Sequence, residues 1–134
     1  MNPADLYWVE FPLRGGHAQA GRRPAIVMQS AEAMARLPTI LLIPLTTQLD
    51  ALRFPGTALV EATTENGLKR PSVALVFQLT AVDRQFVGQR LGSFSKPAIE
   101  AVWLALDDIT PRPHAEAGAF SCAAPYRDAR LIGP

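Results

Sequence analysis

Hydrophobic residues in the first half of the chain fall in short runs that predict β-strands. Residues that favour strands fill 6–11 (LYWVEF), and a mostly apolar run, predicted to be buried on both faces, fills 24–29 (PAIVMQ). A third run, 39–45 (TILLIPL), contains Pro44, which is typical of a strand end, a bulge or a sheet edge. Glycine and proline separate these runs, as expected for strands joined by loops.

The same pattern continues in the second half of the chain. Further strands are predicted at residues 57–62, 72–82 and 87–94. The longest of them, 72–82, is predicted to bend near Gln78. The sequence Glu65-Asn66-Gly67 predicts a turn, because Asn and Gly readily adopt positive φ. A short helical turn is predicted at 31–36.

After residue 94 the apolar spacing changes to that of a helix. Ser95 is a predicted N-cap, Pro97 suits the first turn, and Pro111 ends the helix. Apolar residues recur on one predicted face: Ile99, Val102, Trp103, Leu106 and Ile109. Short antiparallel strands followed by one helix predict a compact twisted sheet or small barrel with the helix packed on it.

Length and composition fit one small globular domain. The chain has 134 residues, of which 49% are hydrophobic and 19% charged. Residues 1–110 are predicted to form the domain, and the Ala-, Pro- and Gly-rich residues 111–134 a disordered or loosely packed tail. No apolar run approaches the roughly 20 residues of a membrane span, and the N-terminus does not resemble a signal peptide. The sequence therefore predicts a soluble cytoplasmic protein without membrane association.

The net charge and the few potential metal ligands exclude several kinds of functional site. The net charge of +1 means that any nucleic-acid site depends on local clusters of basic residues. The single cysteine, Cys122, excludes an intrachain disulfide and a cysteine-based zinc site, and the two histidines, His17 and His114, are far apart in sequence. The nucleophile-elbow, Walker A and zinc-protease motifs are absent from the sequence. We therefore expect neither a metal nor a cofactor.

The strongest candidate for a catalytic site lies at the start of one predicted strand and the end of another. Arg22 and Arg23 stand just before the predicted strand 24–29, and Thr46-Thr47-Gln48 follows the strand 39–45. If these strands are neighbours, Arg23 and Thr46 converge. A guanidinium beside a hydroxyl suits a phosphate, because both groups donate hydrogen bonds. The residues alone favour a simpler interpretation, a solvated arginine pair and ordinary turn threonines, because surface arginines are common.

Three motifs, in order along residues 5–109, resemble the PemK/MazF family of toxins. The segment LYWVEFPLRGGHAQAGRRPAIVMQS is similar to the family's opening, which ends in an Arg-Pro pair before a buried strand. LLIPLTTQL is similar to a strand that ends in a Pro-x-Thr motif. RFPGTALVEATTENGLKRPSVALVFQLTAVD is similar to the family's middle region. Their order and spacing make the resemblance specific.

The resemblance implies an SH3-like small barrel of antiparallel strands with a C-terminal helix. It also implies a homodimeric toxin that cleaves single-stranded RNA at short sequences without a metal, and that a cognate antitoxin protein neutralises. Arg23 and Thr46 match the family's catalytic positions. Further matches and neighbouring polar residues give the expected substrate-binding set: Gln19, Arg22, Thr47, Gln48 and Gln78.

One position departs from the family pattern. Ala18 stands where a glutamate usually precedes the loop glutamine. This departure keeps open an attenuated module that only binds the antitoxin. A second alternative to RNA cleavage comes from the fold, because a relative with the same small barrel poisons DNA gyrase without catalysis.

Overall fold

The computed structural model describes residues 1–12 and 21–111 as a seven-stranded antiparallel sheet with a helix at its C-terminal end. The strands are β1 (Asp5–Phe11), β2 (Gly21–Val27), β3 (Thr39–Thr46), β4 (Thr57–Val60), β5 (Ser72–Leu75), β6 (Thr80–Asp83) and β7 (Val87–Ser93). The helices are the single turn α1 (Ala31–Met34) and α2 (Lys96–Ile109), and three short 3-10 turns lie between strands.

Strand β3 lies at the centre of the sheet. The strand order is β4-β5-β3-β2-β1-β7, and β6 also pairs with β3. Every pairing is antiparallel. This architecture confirms the predicted mainly-β fold with a C-terminal helix. Among the described residues the pairings form a small barrel-like sheet that does not close into a complete ring.

Pro44 lies within the central strand, neither at its end nor at a sheet edge. On one side it faces Ala25 of β2. On the other side β3 changes partners, because β6 pairs with Thr39–Leu42 and β5 pairs only with Leu45 and Thr46. Pro44 falls in the gap between these two partners, where a missing backbone N–H breaks no ladder hydrogen bond.

Strand β2 begins three residues earlier than its apolar run predicts. It starts at Gly21 because β1 continues to Phe11, and these two residues face each other at the end of the β1–β2 ladder. Arg22 and Arg23 therefore lie inside a strand rather than before it. At its other end β2 stops at Val27. Beyond it, the buried side chain of Gln29 extends the contact with β3 by donating to the Thr39 carbonyl and accepting from the Leu41 N–H, both at 3.0 Å.

The long run 72–82 forms two strands instead of one bent strand. The 3-10 turn Val76–Gln78 separates β5 from β6, so Gln78 lies at the predicted irregularity. The strand predicted at 57–62 is shorter and ends at Val60. An unbroken run of apolar residues gives no sign of this break, because Val76 in the 3-10 turn is as fully buried as the strand residues before it.

Two apolar clusters cover the two faces of the sheet. The larger one includes Leu6, Ile26, Ile43 and Leu45 and is closed by α2. The smaller one is built by alternate residues of β1, β2 and β3, together with one residue each of β6 and α1: Val9, Phe11, Ala25, Val27, Ile40, Leu42, Val82 and Met34. Because strand residues alternate between faces, the two clusters share strands without sharing side chains.

Helix α2 starts as predicted. The Ser95 hydroxyl accepts a hydrogen bond from the Ala98 N–H at 3.3 Å, and Pro97 lies in the first turn. The buried residues of the helix are Val102 and Ala105, whereas Trp103 is 47% exposed. The prediction that Trp103 belongs to the packed face is therefore wrong. None of the described helices is both long and apolar enough to span a membrane.

Candidate active site

The β1–β2 hairpin fixes the positions of both arginines. Arg22 faces Glu10 and Arg23 faces Val9 in the antiparallel register. Successive strand residues point to opposite faces of the sheet, so these two neighbouring arginines enter different environments. Gly21, with φ of +86°, begins the strand in a backbone conformation that favours glycine.

Arg23 reaches across to the end of β3. Its Nη1 donates a long hydrogen bond of 3.4 Å to the Leu45 carbonyl. The last β2–β3 pair in that direction is Ala25 with Pro44, and the same register extended by two residues sets Arg23 opposite Thr46. Burial lowers the pKa of the Arg23 guanidinium from its ordinary value, yet an arginine in a protein stays protonated. The predicted convergence of these two strand ends is confirmed.

Thr46 is a buried hydroxyl at the last position of β3, with only 8% of its surface exposed. Its Oγ1 accepts a hydrogen bond from the Gln48 N–H at 3.2 Å. Accepting this bond leaves the hydroxyl hydrogen able to donate to another group. Arg23 and Thr46, called here the Arg23–Thr46 pair, therefore place a fixed cation and a fixed hydroxyl donor at adjacent strand ends.

The Arg23–Thr46 pair lies at the margin of the smaller apolar cluster. Side chains two residues apart on a strand point to the same face of the sheet. Arg23 therefore shares a face with Ala25, and Thr46 shares that face with Leu42. Ala25 and Leu42 both belong to the smaller cluster. Apolar surroundings strengthen the attraction of a cation for an anion, because they replace water of high dielectric constant. The pair is suited to bind a phosphate and to stabilise additional negative charge on it.

Arg22 lies on the opposite face, against Trp8. Its guanidinium carbon is 4.3 Å from the centroid of the indole ring, a cation–π contact. Trp8 faces Pro24 across the β1–β2 ladder and is only partly buried. The indole is therefore held between two strands while part of it stays open to solvent.

Trp8 forms part of a cavity of about 500 Å³, called here the Trp8 groove. The groove brings together apolar residues and polar residues from five parts of the chain. Its lining consists of Trp8, Pro24, Thr47, Gly67, Leu68, Lys69, Arg70, Ser72, Gln89 and Leu91.

A rigid turn supports one wall of the groove. The side chain of Asn66, which is buried, accepts from the N–H groups of Thr63 and Leu68 and donates to the Glu61 carbonyl at 2.9–3.0 Å. Gly67 follows with φ of +72°, and a Cβ at this position would collide with the Leu91 backbone. The predicted turn is confirmed, and it is packed directly against β7.

The remaining predicted site residues are dispersed around these two features. Thr47 lines the Trp8 groove, and Gln48 is an exposed residue at the start of the next 3-10 turn. Gln78 is half-buried at the junction of β5 and β6, on the side of β3 opposite β2. Gln19 lies outside the described residues, as do Ala18 and the tail from residue 112 onward.

Sequence reasoning did not single out several residues of the Trp8 groove. Lys69, Arg70 and Gln89 had no assigned role, and Trp8 was assigned only to the predicted strand 6–11. The basic pair Lys69-Arg70, one residue beyond the Asn-Gly turn, is the local signal that could have pointed to this wall of the groove. In the two described ranges, no group of three or more His, Cys, Asp or Glu residues could hold a metal ion.

Comparisons with known proteins identify the family. Residues 2–110 match the family described as PemK-like, MazF-like toxin of type II toxin-antitoxin system. Endoribonuclease MazF6 of Mycobacterium tuberculosis is 31% identical over 93 residues, which cover 69% of this chain and 81% of that protein.

Solved structures agree with this assignment at the level of the fold. MazF of Deinococcus radiodurans superposes with a TM-score of 0.71 at 23% identity, covering 84% of this chain and 97% of that one. An endoribonuclease in complex with its cognate antitoxin from a mycobacterial species gives a TM-score of 0.66 at 13% identity, covering 85% and 98%. The chain belongs to the PemK-like, MazF-like toxins of type II toxin–antitoxin systems.

Proposed function

We propose that this chain is an endoribonuclease toxin that cleaves single-stranded RNA without a metal, with the Arg23–Thr46 pair as its catalytic centre. The observation that carries the proposal is the convergence of a half-buried guanidinium and a buried hydroxyl at the ends of β2 and β3. The endoribonuclease name of the mycobacterial relative supports RNA as the substrate.

RNA brings its own nucleophile to such a site. The ribose 2′-oxygen forms a bond to the adjacent phosphorus, the bond from phosphorus to the 5′-oxygen breaks, and a 2′,3′-cyclic phosphate results. The 2′-hydroxyl gives up its proton and the leaving 5′-oxygen takes one up. Arg23 stabilises the extra negative charge on the non-bridging oxygens, and Thr46 donates a second hydrogen bond that fixes the phosphate.

The other predicted site residues serve substrate binding in this proposal. The amides of Gln19, Gln48 and Gln78 both donate and accept, as reading an unstacked base requires. Arg22 and Thr47 bind the strand next to the reacting phosphate. The toxin domain comprises residues 1–110, and no cofactor is needed.

A cognate antitoxin and a second copy of the chain complete the proposed assembly. The solved complex of a related fold with its antitoxin supports the first partner. Exposed aromatic surface supports the second: Phe54 and Phe77 are 44% and 42% exposed, and their rings meet edge to face with centroids 5.9 Å apart. Such surface is commonly covered by a partner. The proposed place of action is the cytoplasm, where mRNA is available.

Cleavage of a long RNA in excess EDTA tests the proposal. Purified protein should produce discrete fragments with 2′,3′-cyclic phosphate and 5′-hydroxyl ends. Activity that disappears on chelation and returns with magnesium would contradict the metal-free mechanism. Intact RNA together with gyrase inhibition would favour the gyrase-poisoning alternative, and intact RNA with antitoxin binding alone would favour an attenuated module.

A further inference from the structure

We propose that the Trp8 groove binds one nucleotide of the RNA that flanks the scissile phosphate and thereby contributes to sequence specificity. This inference rests on the proposed function. It assigns the base to the neighbourhood of Trp8 and the adjoining phosphate to Lys69 and Arg70.

The chemistry of the lining matches a nucleotide. Trp8, Pro24, Leu68 and Leu91 supply an apolar surface for a base, and none of the lining residues is acidic. The side chains of Thr47, Ser72 and Gln89 add hydroxyls and an amide that can hydrogen-bond to base edges. A volume of about 500 Å³ also falls within the 300–1,000 Å³ typical of small-ligand sites.

The positive charge on one wall is available to a ligand. Lys69 and Arg70 are exposed, and neither forms an ion pair with any residue of the two described ranges. Arg22 contributes less to this charge, because Glu10 faces it directly across the β1–β2 ladder. A phosphate would therefore bind beside Lys69 and Arg70, where no carboxylate of the lining competes for them.

The wall that carries these cations is preorganised. The Asn66 side chain holds the backbone on both sides of the turn, and Gly67 lets the turn pack against Leu91 at a distance that excludes any side chain. On the far side of the turn, the Ser93 N–H donates to the Glu65 carbonyl at 2.9 Å. A site fixed in advance loses less conformational entropy when it binds a flexible strand.

Two residues of the groove lining are the immediate chain neighbours of the proposed catalytic residues. Pro24 follows Arg23, and Thr47 follows Thr46. Because neighbouring residues of a strand point to opposite faces, the Arg23–Thr46 pair lies on one face of these strand ends and the groove on the other. A single strand that crosses these ends can contact both features, with neighbouring nucleotides on the two sides. This geometry favours RNA over an unrelated small molecule as the occupant.

Steady-state cleavage of matched substrates tests the proposal. The Lys69→Gln/Arg70→Gln variant should raise KM about tenfold and leave kcat within about twofold, because it removes binding to a flanking phosphate. The slope of log affinity against log salt should decrease by about 0.7, the contribution of one phosphate contact to a single strand. The Arg36→Gln/Lys96→Gln variant makes the same charge change outside the lining and should retain the KM of the unmodified protein.

Shortened substrates locate the nucleotide. Nucleotides are removed one at a time from either side of the mapped cleavage site. Loss of the nucleotide that occupies the groove should raise KM for the unmodified protein and not for Lys69→Gln/Arg70→Gln. An equal penalty for the variant on every substrate would show a general electrostatic effect and would overturn the subsite.

Tryptophan fluorescence provides a readout that does not depend on cleavage. The chain has two tryptophans, so Trp103→Phe leaves Trp8 as the single reporter. A 2′-O-methylated RNA oligonucleotide, which lacks the nucleophile, should change the Trp8 emission on binding, and Lys69→Gln/Arg70→Gln should weaken that binding about tenfold. No change in emission at saturation, or an equal response to an octaglutamate peptide, would overturn the assignment of a nucleotide. If the protein binds in this way but cleaves no RNA, the proposed function fails while the subsite stands.

Discussion

Arg22 and Arg23 are adjacent in sequence but lie on opposite faces of the sheet. Arg23 is half-buried beside Thr46 and donates to a backbone carbonyl, whereas Arg22 is exposed and stacks on Trp8. A cation in apolar surroundings can stabilise a transition state, while a solvated cation contributes mainly to binding. The alternation of strand residues thus separates a site for chemistry from a site for binding within two positions of the chain.

The largest expected effect is a difference in kcat between variants of these two arginines. Arg23→Ala should lower kcat at least about a hundredfold, the loss that follows removal of one charge-stabilising donor. Arg22→Ala serves as the matched control and should raise mainly KM, by a few-fold, because an exposed cation contributes to substrate binding rather than to charge stabilisation in the transition state. Single-turnover cleavage over a range of protein concentrations measures both the maximal rate constant and the half-saturating concentration. Similar losses in kcat for the two variants would contradict the assignment of catalysis to one face of the sheet and of binding to the other.

The hydroxyl of Thr46 is expected to have a smaller effect. Thr46→Val keeps the shape of the buried side chain but removes its donor, so kcat should fall about tenfold, equivalent to about 1.4 kcal/mol. Thr46→Ser restores the hydroxyl and should recover most of the rate. If Val and Ser substitutions reduce kcat equally, Thr46 contributes packing rather than a hydrogen bond to the phosphate.

The smallest expected effect on cleavage concerns the wall of the Trp8 groove. Asn66→Ala removes a buried side chain that forms three hydrogen bonds, so unfolding free energy should fall by about 1–3 kcal/mol. KM should rise a few-fold, because Lys69 and Arg70 are held less firmly, and kcat should stay the same. Thr63→Val removes the hydroxyl that accepts from the Asn66 N–H and should lower the unfolding free energy less. Denaturant unfolding and steady-state kinetics together check this prediction, and a drop in kcat with unchanged KM would count against it.

Local sequence patterns anticipated most of the fold and the Arg23–Thr46 pair. The strands, the Asn-Gly turn and the Ser95 cap are specified by neighbouring residues, and the Arg-Pro and Pro-x-Thr motifs lie at ends of paired strands. The resemblance to a known family, rather than composition, selected Arg23 among the surface arginines.

Features that depend on distant pairing were missed. The break at Val76–Gln78 arises because β3 exchanges one partner strand for another, which the apolar run 72–82 does not record. Trp103 has helical spacing with its apolar neighbours, yet α2 packs through Val102 and Ala105. The Trp8 groove joins residues up to about eighty positions apart, so no sequence window contains it.

The most direct test of the central claim asks whether Arg23 contacts the scissile phosphate. Each non-bridging oxygen of that phosphate is replaced in turn by sulfur, and single-turnover rates are compared for the unmodified protein and for Arg23→Ala. One of the two sulfur substitutions should slow the unmodified protein about tenfold, a coupling of about 1.4 kcal/mol, and should leave Arg23→Ala unaffected, because the contact is already lost. Equal sulfur effects in both proteins would show that Arg23 does not contact the reacting phosphate, and would contradict the account.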